Sequence, residues 1–368
     1  MPEGHTVHRL ARTLEALFAG QQVRVGSPQG RFAAGAALLD GATLVRAEAW
    51  GKQLFCGFAP ELSDSARGMA RAESDSSNEP ELWLRVHLGL YGAWTFAGDG
   101  TADVVHAIGA PRRRVGERET ALTDESSDPA GPSSAGADDA GEWTPPAPRG
   151  AVRVRLRGEH AVADLTGPTA CEVLTGEEKA AVEARLGPDP IRHGPRDPRE
   201  GPQRSEDASW GVGRRTLDAA RDAFVERVRR SRVTVGQQLM DQAVVAGVGN
   251  IYRAEALFRA GVDPLRPGRD VPADVLVGIW DDLVVLMRDG ADTGRIVTTR
   301  PGDRDDAAPL HESRRTRQNT DDDPDAVPRE LAFYVYHRDG LPCRVCGTPV
   351  LVKELAGRNL FWCGVCQR

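Results

Sequence analysis

Leu239-Met-Asp-Gln-Ala-Val-Val-Ala-Gly-Val-Gly-Asn-Ile-Tyr-Arg-Ala-Glu-Ala-Leu-Phe-Arg-Ala-Gly261 decides how the C-terminal half of this chain is built. One helix ends near Gln242 and the next begins near Asn250, with Gly247 and Gly249 between them. Asparagine is a favoured first cap of a helix, so Asn250 is assigned that place. The two glycines allow backbone to approach an anion closely. A helix N-terminus with free amides and a positive dipole suits a phosphate. An ordinary helix–turn–helix corner fits the same spacing, and the stretch alone does not choose between the two.

Around this stretch, helix-type periodicity also runs over Arg214 to Arg230, Val235 to Gln242, Ile251 to Ala260 and Ala273 to Asp289. Before it, Leu186-Gly-Pro-Asp-Pro190 opens a Pro/Gly-rich stretch, 186–211, read as a linker. At the other end of the chain residues 1–20 read as a helix, because Val7, Leu10, Ala11, Leu14 and Leu17 share one face. From Val23 to Phe58 short apolar runs alternate with polar residues and glycines, a β-rich pattern. Strands are read on either side of Gly89-Leu-Tyr-Gly92, and Ala151 to Arg157 alternates strictly. Ala161 to Leu165 is expected to pair with that last strand across the Gly158-Glu-His turn. The fold class is therefore α+β and multidomain: an N-terminal β-sandwich with flanking helices over 1–185, the linker 186–211, a helical domain over 212–299, and a cysteine-bearing tail over 329–368.

That tail carries Cys343-x2-Cys346-x16-Cys363-x2-Cys366, a spacing that places two thiolate pairs around one structural zinc ion. Gly347 and Gly364 are read as permitting the tight knuckle turns. Two disulfides are disfavoured, since nothing suggests secretion. Four sulfur ligands leave no open coordination position, so the metal is structural. Cys56 and Cys171 read as small core residues. Gly357-Arg-Asn-Leu-Phe-Trp362 reads as a hairpin presenting Arg358, and spacing fits a solvated turn arginine as well as one that grips a ligand.

The formal net charge of −7 argues at first against a nucleic-acid partner. Its distribution reverses that. Three segments, 61–81, 115–148 and 302–326, carry −15 between them and leave +8 on the remainder. They are rich in Ser, Gly, Ala, Asp and Pro, as disordered insertions are, and the stretch 300–328 is assigned as one. The remainder is moderately basic and compatible with a polyanion. Only three of 47 basic residues are lysines (Lys52, Lys179 and Lys353), which marks Lys52 as a position where a compact ammonium is needed, or as a chance survivor. No apolar run is long enough for a membrane span. The N-terminus lacks the pattern of a signal peptide, so a soluble cytoplasmic protein is expected.

Taken in order, Pro2-Glu3-Gly4, Gly51-Lys52, Val248-Gly-Asn-Ile-Tyr252 and the four-cysteine finger with Arg358 resemble the formamidopyrimidine-DNA glycosylase and endonuclease VIII family. The resemblance covers the whole chain except the acidic segments. It implies a helix-two-turn-helix domain and a bifunctional DNA glycosylase and abasic-site lyase of base excision repair. Its partner would be double-stranded DNA carrying damaged bases or abasic sites, bound by a monomer associated with the nucleoid. The resemblance makes the Pro2 amine, exposed once Met1 is removed, the nucleophile. An α-amino group near pKa 8 is about a tenth unprotonated at neutral pH, which an ordinary lysine is not. By the same resemblance Glu3 moves protons on the sugar, Lys52 contacts a phosphate or a proton near the leaving base, and Glu255 orients the Pro2 amine. Asn250 and Arg358 would grip phosphates flanking the lesion. His87-Leu-Gly-Leu-Tyr-Gly92 resembles the wedge loop that fills the gap left by a flipped base, with Leu90 and Tyr91 at its tip. A core turn between strands fits that hexapeptide too.

Two departures bear on the lesion. The chain begins Pro-Glu-Gly-His-Thr, where the formamidopyrimidine branch has Pro-Glu-Leu-Pro. It also carries Asp164-Leu-Thr-Gly-Pro-Thr169 in place of that branch's Arg-Arg-Phe-Gly. Both favour the endonuclease VIII branch and oxidised pyrimidines. The competing readings are an oxidised-purine enzyme, a non-catalytic DNA-binding protein of the same fold, and a zinc-ribbon RNA binder.

Overall fold

The computed structural model describes residues 2–60, 80–101, 107–109, 143–193, 214–304 and 327–368, with backbone only for 214–217. Most of the acidic segments and most of the stretch read as a linker lie outside the described residues. The chain divides into two compact units, one of Met1–Pro2, Arg9–Ala49 and Gln53–Ala180, the other of Glu3–His8, Trp50–Lys52 and Ala181–Arg368.

The first unit is built on two sheets. Strands β2 (Thr43–Trp50), β3 (Gln53–Ala59), β4 (Leu82–His87) and β9 (Ala170–Thr175) form one, in that order. The other runs β1 (Arg24–Gly26), β7 (Val152–Arg157), β8 (Ala161–Thr166), β5 (Ala93–Gly98), β6 (Ala107–Gly109). The alternation in β7 is realised: Val152, Val154 and Leu156 are buried while the intervening arginines are not. Its partner is β8, with Leu156 opposite Ala163, as the turn at 158–160 predicted. Helix α1 (Gly4–Phe18) buries Val7, Leu10, Ala11, Leu14 and Leu17, but begins only after Pro2 and Glu3. Strands β4 and β5 belong to different sheets, so 88–92 is a crossover and not a hairpin turn.

Two further helices, α2 (Ala33–Leu39) and α3 (Gly176–Glu183), flank the sheets. Lys179 of α3 pairs with Glu48 (2.5 Å) and lies over the rings of Trp83 (4.5 Å) and Phe55 (5.2 Å). Lys179 is thus one of the three lysines and sits in a buried, paired seat.

In the second unit, α5 (Arg214–Arg229), α6 (Val235–Gln238), α7 (Asn250–Arg259) and α8 (Ala273–Thr293) follow a short α4 (Pro190–His193), and a one-turn α9 (Arg329–Ala332) precedes the finger. Buried Phe224, Val228, Leu239, Tyr252, Leu257, Leu276, Trp280 and Met287 pack as one core. Arg259 forks onto Asp282 with two contacts of 2.6 Å, tying α7 to α8. Helix α6 stops four residues earlier than periodicity suggests. Asp241 accepts the Ala243 amide (2.9 Å), and Gln242 bonds both the Gly247 amide (2.9 Å) and the Val248 carbonyl (3.0 Å). Side chains that satisfy the backbone locally end a helix in this way. Helix α8 runs four residues longer than read and ends on left-handed Gly294, φ 72°. No helix among the described residues is long and apolar enough to cross a membrane.

Candidate active site

Glu3 is fully buried. Its Oε2 accepts the Gly249 amide at 2.9 Å, and its Oε1 accepts the Ile251 amide at 2.8 Å. The carboxylate thus caps the N-terminus of α7, where amides are free and the dipole is positive. This corrects two expectations. Gly249, not Asn250, occupies the cap position, and the anion at this helix end is a side chain of the chain itself rather than a phosphate. A Cβ on Gly249 would lie 2.4 Å from the Glu3 carboxyl carbon, so only glycine admits it. Gly4 donates to the Gly247 carbonyl (2.8 Å), and a Cβ on Gly4 would meet the Gly247 Cα at 2.7 Å. His5 stacks edge-on against Tyr252 at 5.5 Å. The glycine that follows Pro-Glu is therefore required by this packing.

Burial raises the Glu3 carboxyl above its ordinary value, partly offset by the Lys52 charge and the α7 amides. Burial lowers the Lys52 ammonium, Glu3 counteracts that, and Arg358 adds to it. Lys52 stands in the turn between β2 and β3 beside Gly51, whose φ is 59° and whose missing Cβ would strike Ala246 and the Gly247 amide at 2.8 Å. The structure thus brings Glu3, Lys52, Asn250 and Arg358 to one end of α7. Pro2, buried, immediately precedes Glu3 in the chain.

A residue the sequence reading missed holds this turn. Fully buried Asp189 accepts from the Gly51 amide (2.6 Å), His8 Nε2 (2.8 Å) and the Ile191 amide (2.8 Å). It joins the end of the Glu3–His8 segment to the Lys52 turn. Residues 186–193, read as linker, are instead an ordered strap: Gly187 accepts the Trp50 indole N–H at 2.9 Å. Burial pushes the Asp189 carboxyl up, but His8 and the two amides outweigh it and take it down to about 2. Because the folded value lies below the unfolded 3.8, the stabilisation is present above about pH 4 and lost as pH falls through about 2. Asp189→Asn is expected to cost about 2 kcal/mol at pH 7. In urea unfolding, the gap between variant and wild type should close between pH 4 and 2. A gap independent of pH over that range would show that the charge contributes nothing.

Glu255 is fully buried. Its Oε1 accepts the amides of Val335 and Tyr336 (2.8 Å each), and its Oε2 accepts the Tyr334 amide (2.8 Å) and the Thr298 hydroxyl. With both oxygens committed to Thr298 and to the 334–336 segment that leads into the finger, it fixes backbone, and the role of orienting the Pro2 amine does not fit its contacts.

The four cysteine sulfurs lie within 4.8 Å of one another, with Cys343–Cys366 at 3.8 Å and Cys346–Cys363 at 3.5 Å. A tetrahedron with Zn–S bonds of about 2.3 Å has edges of about 3.8 Å, so the donor set fits one zinc ion. Gly347 turns with φ 74°, as expected. Gly364 needs no such φ; a Cβ there would press on Leu351 at 3.1 Å. Between the pairs β10 (Leu351–Leu355) and β11 (Arg358–Trp362) form a hairpin through Ala356 and Gly357, φ 52° and 71°, which starts Arg358 at the turn. Asn250 Nδ2 donates to the Asn359 carbonyl at 2.9 Å, joining α7 to that turn.

In the first unit, Leu90 and Tyr91 are 37% and 51% exposed, while Leu88 is buried, so the crossover presents its tip to solvent. Gly89 (φ 64°) packs on Thr169, and Gly167 (φ 61°) on the Tyr91 carbonyl. The Asp164–Thr169 stretch therefore buttresses the Leu-Tyr tip.

Known proteins share both the motifs and the fold. Residues 1–128 match the formamidopyrimidine-DNA glycosylase N-terminal domain, 213–301 the H2TH domain of the same enzymes, and 340–368 the zinc finger found in FPG and IleRS. "Endonuclease 8 1" of Mycobacterium tuberculosis is 37% identical over 370 residues, covering all of both chains. The formamidopyrimidine-DNA glycosylase of Geobacillus kaustophilus is 34% identical over 145 residues, 39% of this chain and 46% of that one. Among solved structures, MutM (Fpg) of Thermus thermophilus superposes with a TM-score of 0.58 at 21% identity, covering 100% and 98% of the two chains. Lactococcus lactis Fpg bound to abasic-site DNA gives 0.59 at 16% identity, covering 100% and 99%. The chain belongs to the formamidopyrimidine-DNA glycosylase and endonuclease VIII family. It is a DNA glycosylase of base excision repair and a homologue of endonuclease 8.

Proposed function

We propose that the chain excises oxidised pyrimidines from duplex DNA and then cleaves the strand by β,δ-elimination, through a Schiff base on Pro2. The observation that carries this reading is the Glu3 carboxylate, held on the α7 amides directly after Pro2 and electrostatically coupled to Lys52. The Pro2 nitrogen, with Met1 removed, attacks C1′, forming an N–C1′ bond as the glycosidic C1′–N bond breaks, and the base departs with a proton. Glu3, its carboxyl raised by burial, delivers a proton to the ring oxygen as the base leaves, so that base release is coupled to opening of the sugar and an iminium results. The iminium acidifies the 2′ hydrogens, and loss of one expels the 3′ phosphate; a second elimination expels the 5′ phosphate.

Asn250 and Arg358 bind phosphates, and Leu90 and Tyr91 fill the gap left by the flipped base. Zinc on Cys343, Cys346, Cys363 and Cys366 supplies only the cross-link that folds the finger. Support for the pyrimidine preference comes from the stretch that replaces Arg-Arg-Phe-Gly: it buttresses the wedge, and its Asp164 faces Arg155 at 3.5 Å.

The test is borohydride trapping across duplexes carrying thymine glycol, 5-hydroxyuracil, 8-oxoguanine or an abasic site. Covalent adducts are expected with the pyrimidine lesions and the abasic site, and none with Pro2→Gly. Faster trapping on 8-oxoguanine opposite cytosine would transfer the chain to the purine-directed reading. Equal trapping by Pro2→Gly would remove the proposed nucleophile.

A further inference from the structure

Arg253 lies in the middle of α7 and is fully buried, yet nothing in the chemistry above uses it. Its Nη2 donates to Asn250 Oδ1 and to the Asn359 carbonyl (3.1 Å), and its Nη1 donates to the Gly236 carbonyl in α6 at 3.4 Å. Its Nε is buried with no hydrogen-bond partner among the described residues. Three elements therefore converge on one guanidinium: α6, the N-terminus of α7 and the turn of the finger hairpin.

A guanidinium has only donors, so the Asn250 atom facing it must be the carbonyl oxygen. That contact decides the orientation of the Asn250 amide. Nδ2 then faces the finger, where one hydrogen goes to the Asn359 carbonyl and the other is left for a ligand. The same Nη2 holds the Asn359 carbonyl, and so fixes the backbone next to Arg358. Burial lowers the guanidinium to about 10, with Glu3 opposing that fall, so it keeps its charge at neutral pH. A buried cation is costly without a counter-charge. A phosphate seated on Asn250 and Arg358 brings one close by.

We propose that Arg253 is a positioning residue for DNA binding: it sets the Asn250 amide and the Arg358–Asn359 turn as one preorganised phosphate clamp. This rests on the reading that Asn250 and Arg358 hold phosphates, and it concerns affinity rather than the Pro2 chemistry. Being fully buried, Arg253 acts through those two residues and not by touching DNA itself.

The test uses the full zinc-loaded chain and a duplex with a tetrahydrofuran abasic analogue, comparing wild type, Arg253→Met, Arg253→Lys, Asn250→Ala and the Arg253→Met/Asn250→Ala double variant. Arg253→Met is expected to raise Kd about tenfold, while the trapping rate at saturating abasic DNA stays within about threefold, since only preorganisation is lost. The double variant is expected to bind within about twofold of Asn250→Ala alone, because residues that act as a unit are not additive. Arg253→Lys, which keeps the charge and one donor, should recover part of the affinity. Zinc content and melting temperature separate this from a folding defect. If Arg253→Met does not fold, Arg253→Lys takes its place and must weaken binding in the wild-type background but not with Asn250→Ala.

Unchanged Kd in Arg253→Met, or effects that multiply in the double variant, would overturn the proposal. Failure of the wild type to form a trapped adduct would instead strike the Pro2 mechanism and leave this binding cycle readable.

Discussion

Glu3→Gln is expected to slow base release by roughly 10²–10⁴-fold, the range for loss of a positioned general acid. The carboxyl is replaced by an amide that cannot give a proton to the sugar oxygen. The substitution also puts an NH2 donor against an amide donor of α7, because both Glu3 oxygens accept from that helix end. One buried amide is thereby orphaned, at a cost of about 1–3 kcal/mol. Single-turnover excision of thymine glycol measures the first effect, and urea unfolding the second. The pH dependence has a definite sign. Burial raises the Glu3 carboxyl, so the acid form persists to higher pH than in an ordinary glutamate, and the wild-type rate should fall as pH rises through that raised value. Glu3→Gln should lose this limb. Excision by the variant within about threefold of wild type would rule out proton delivery by Glu3.

Removing zinc is expected to have an effect of similar size on binding. A structural zinc site contributes about 10–16 kcal/mol, comparable with or above the whole stability of a typical domain. The hairpin it closes has two strands, and β10 is almost wholly exposed, so it lacks the apolar core to stand alone. Its apolar anchors, Leu360 and Phe361, face inward, and Phe361 packs against Tyr336 at 5.5 Å. Chelation, or Cys363→Ser, should therefore release Arg358 and Asn359 from α7 and weaken binding of an abasic-analogue duplex roughly 100-fold, about 2.7 kcal/mol. Helix content from α5 to α8 should persist, since that core contains none of the cysteines. Zinc-free protein with wild-type Kd would show that the finger plays no part in holding DNA.

Periodicity located α1, α5, α7 and α8 and the β7–β8 pair, because a buried stripe or an alternating face leaves a local record in residue order. Cysteine spacing located the metal centre for the same reason. The helix ends were less legible. Asp241 and Gln242 stopped α6 early through side-chain bonds that apolar periodicity does not encode. Asn250 has the composition of a cap, but the group that caps α7 is a carboxylate 246 residues from the Gly249 amide it holds, and the absent Gly249 side chain makes room for it. Inside α7, Arg253 and Glu255 are both fully buried. Their sequence signal was available but weak: two opposite charges two residues apart on a helix whose every other position from Ile251 to Phe258 is apolar.

Residue type and short spacing were enough for the α+β class, the zinc ligands and the family, and the family resemblance in turn singled out Pro2, Glu3, Lys52, Asn250 and Arg358 as candidates. What the carboxylates and the buried arginine do emerged only from the folded chain: Glu3 caps α7, Glu255 holds 334–336, Asp189 ties His8 to the Lys52 turn, and Arg253 sets the Asn250 amide. A buried charge must find its hydrogen bonds wherever the fold brings donors and acceptors within reach. Those partners lie as far as 248 residues away along the chain, a distance at which no local pattern survives.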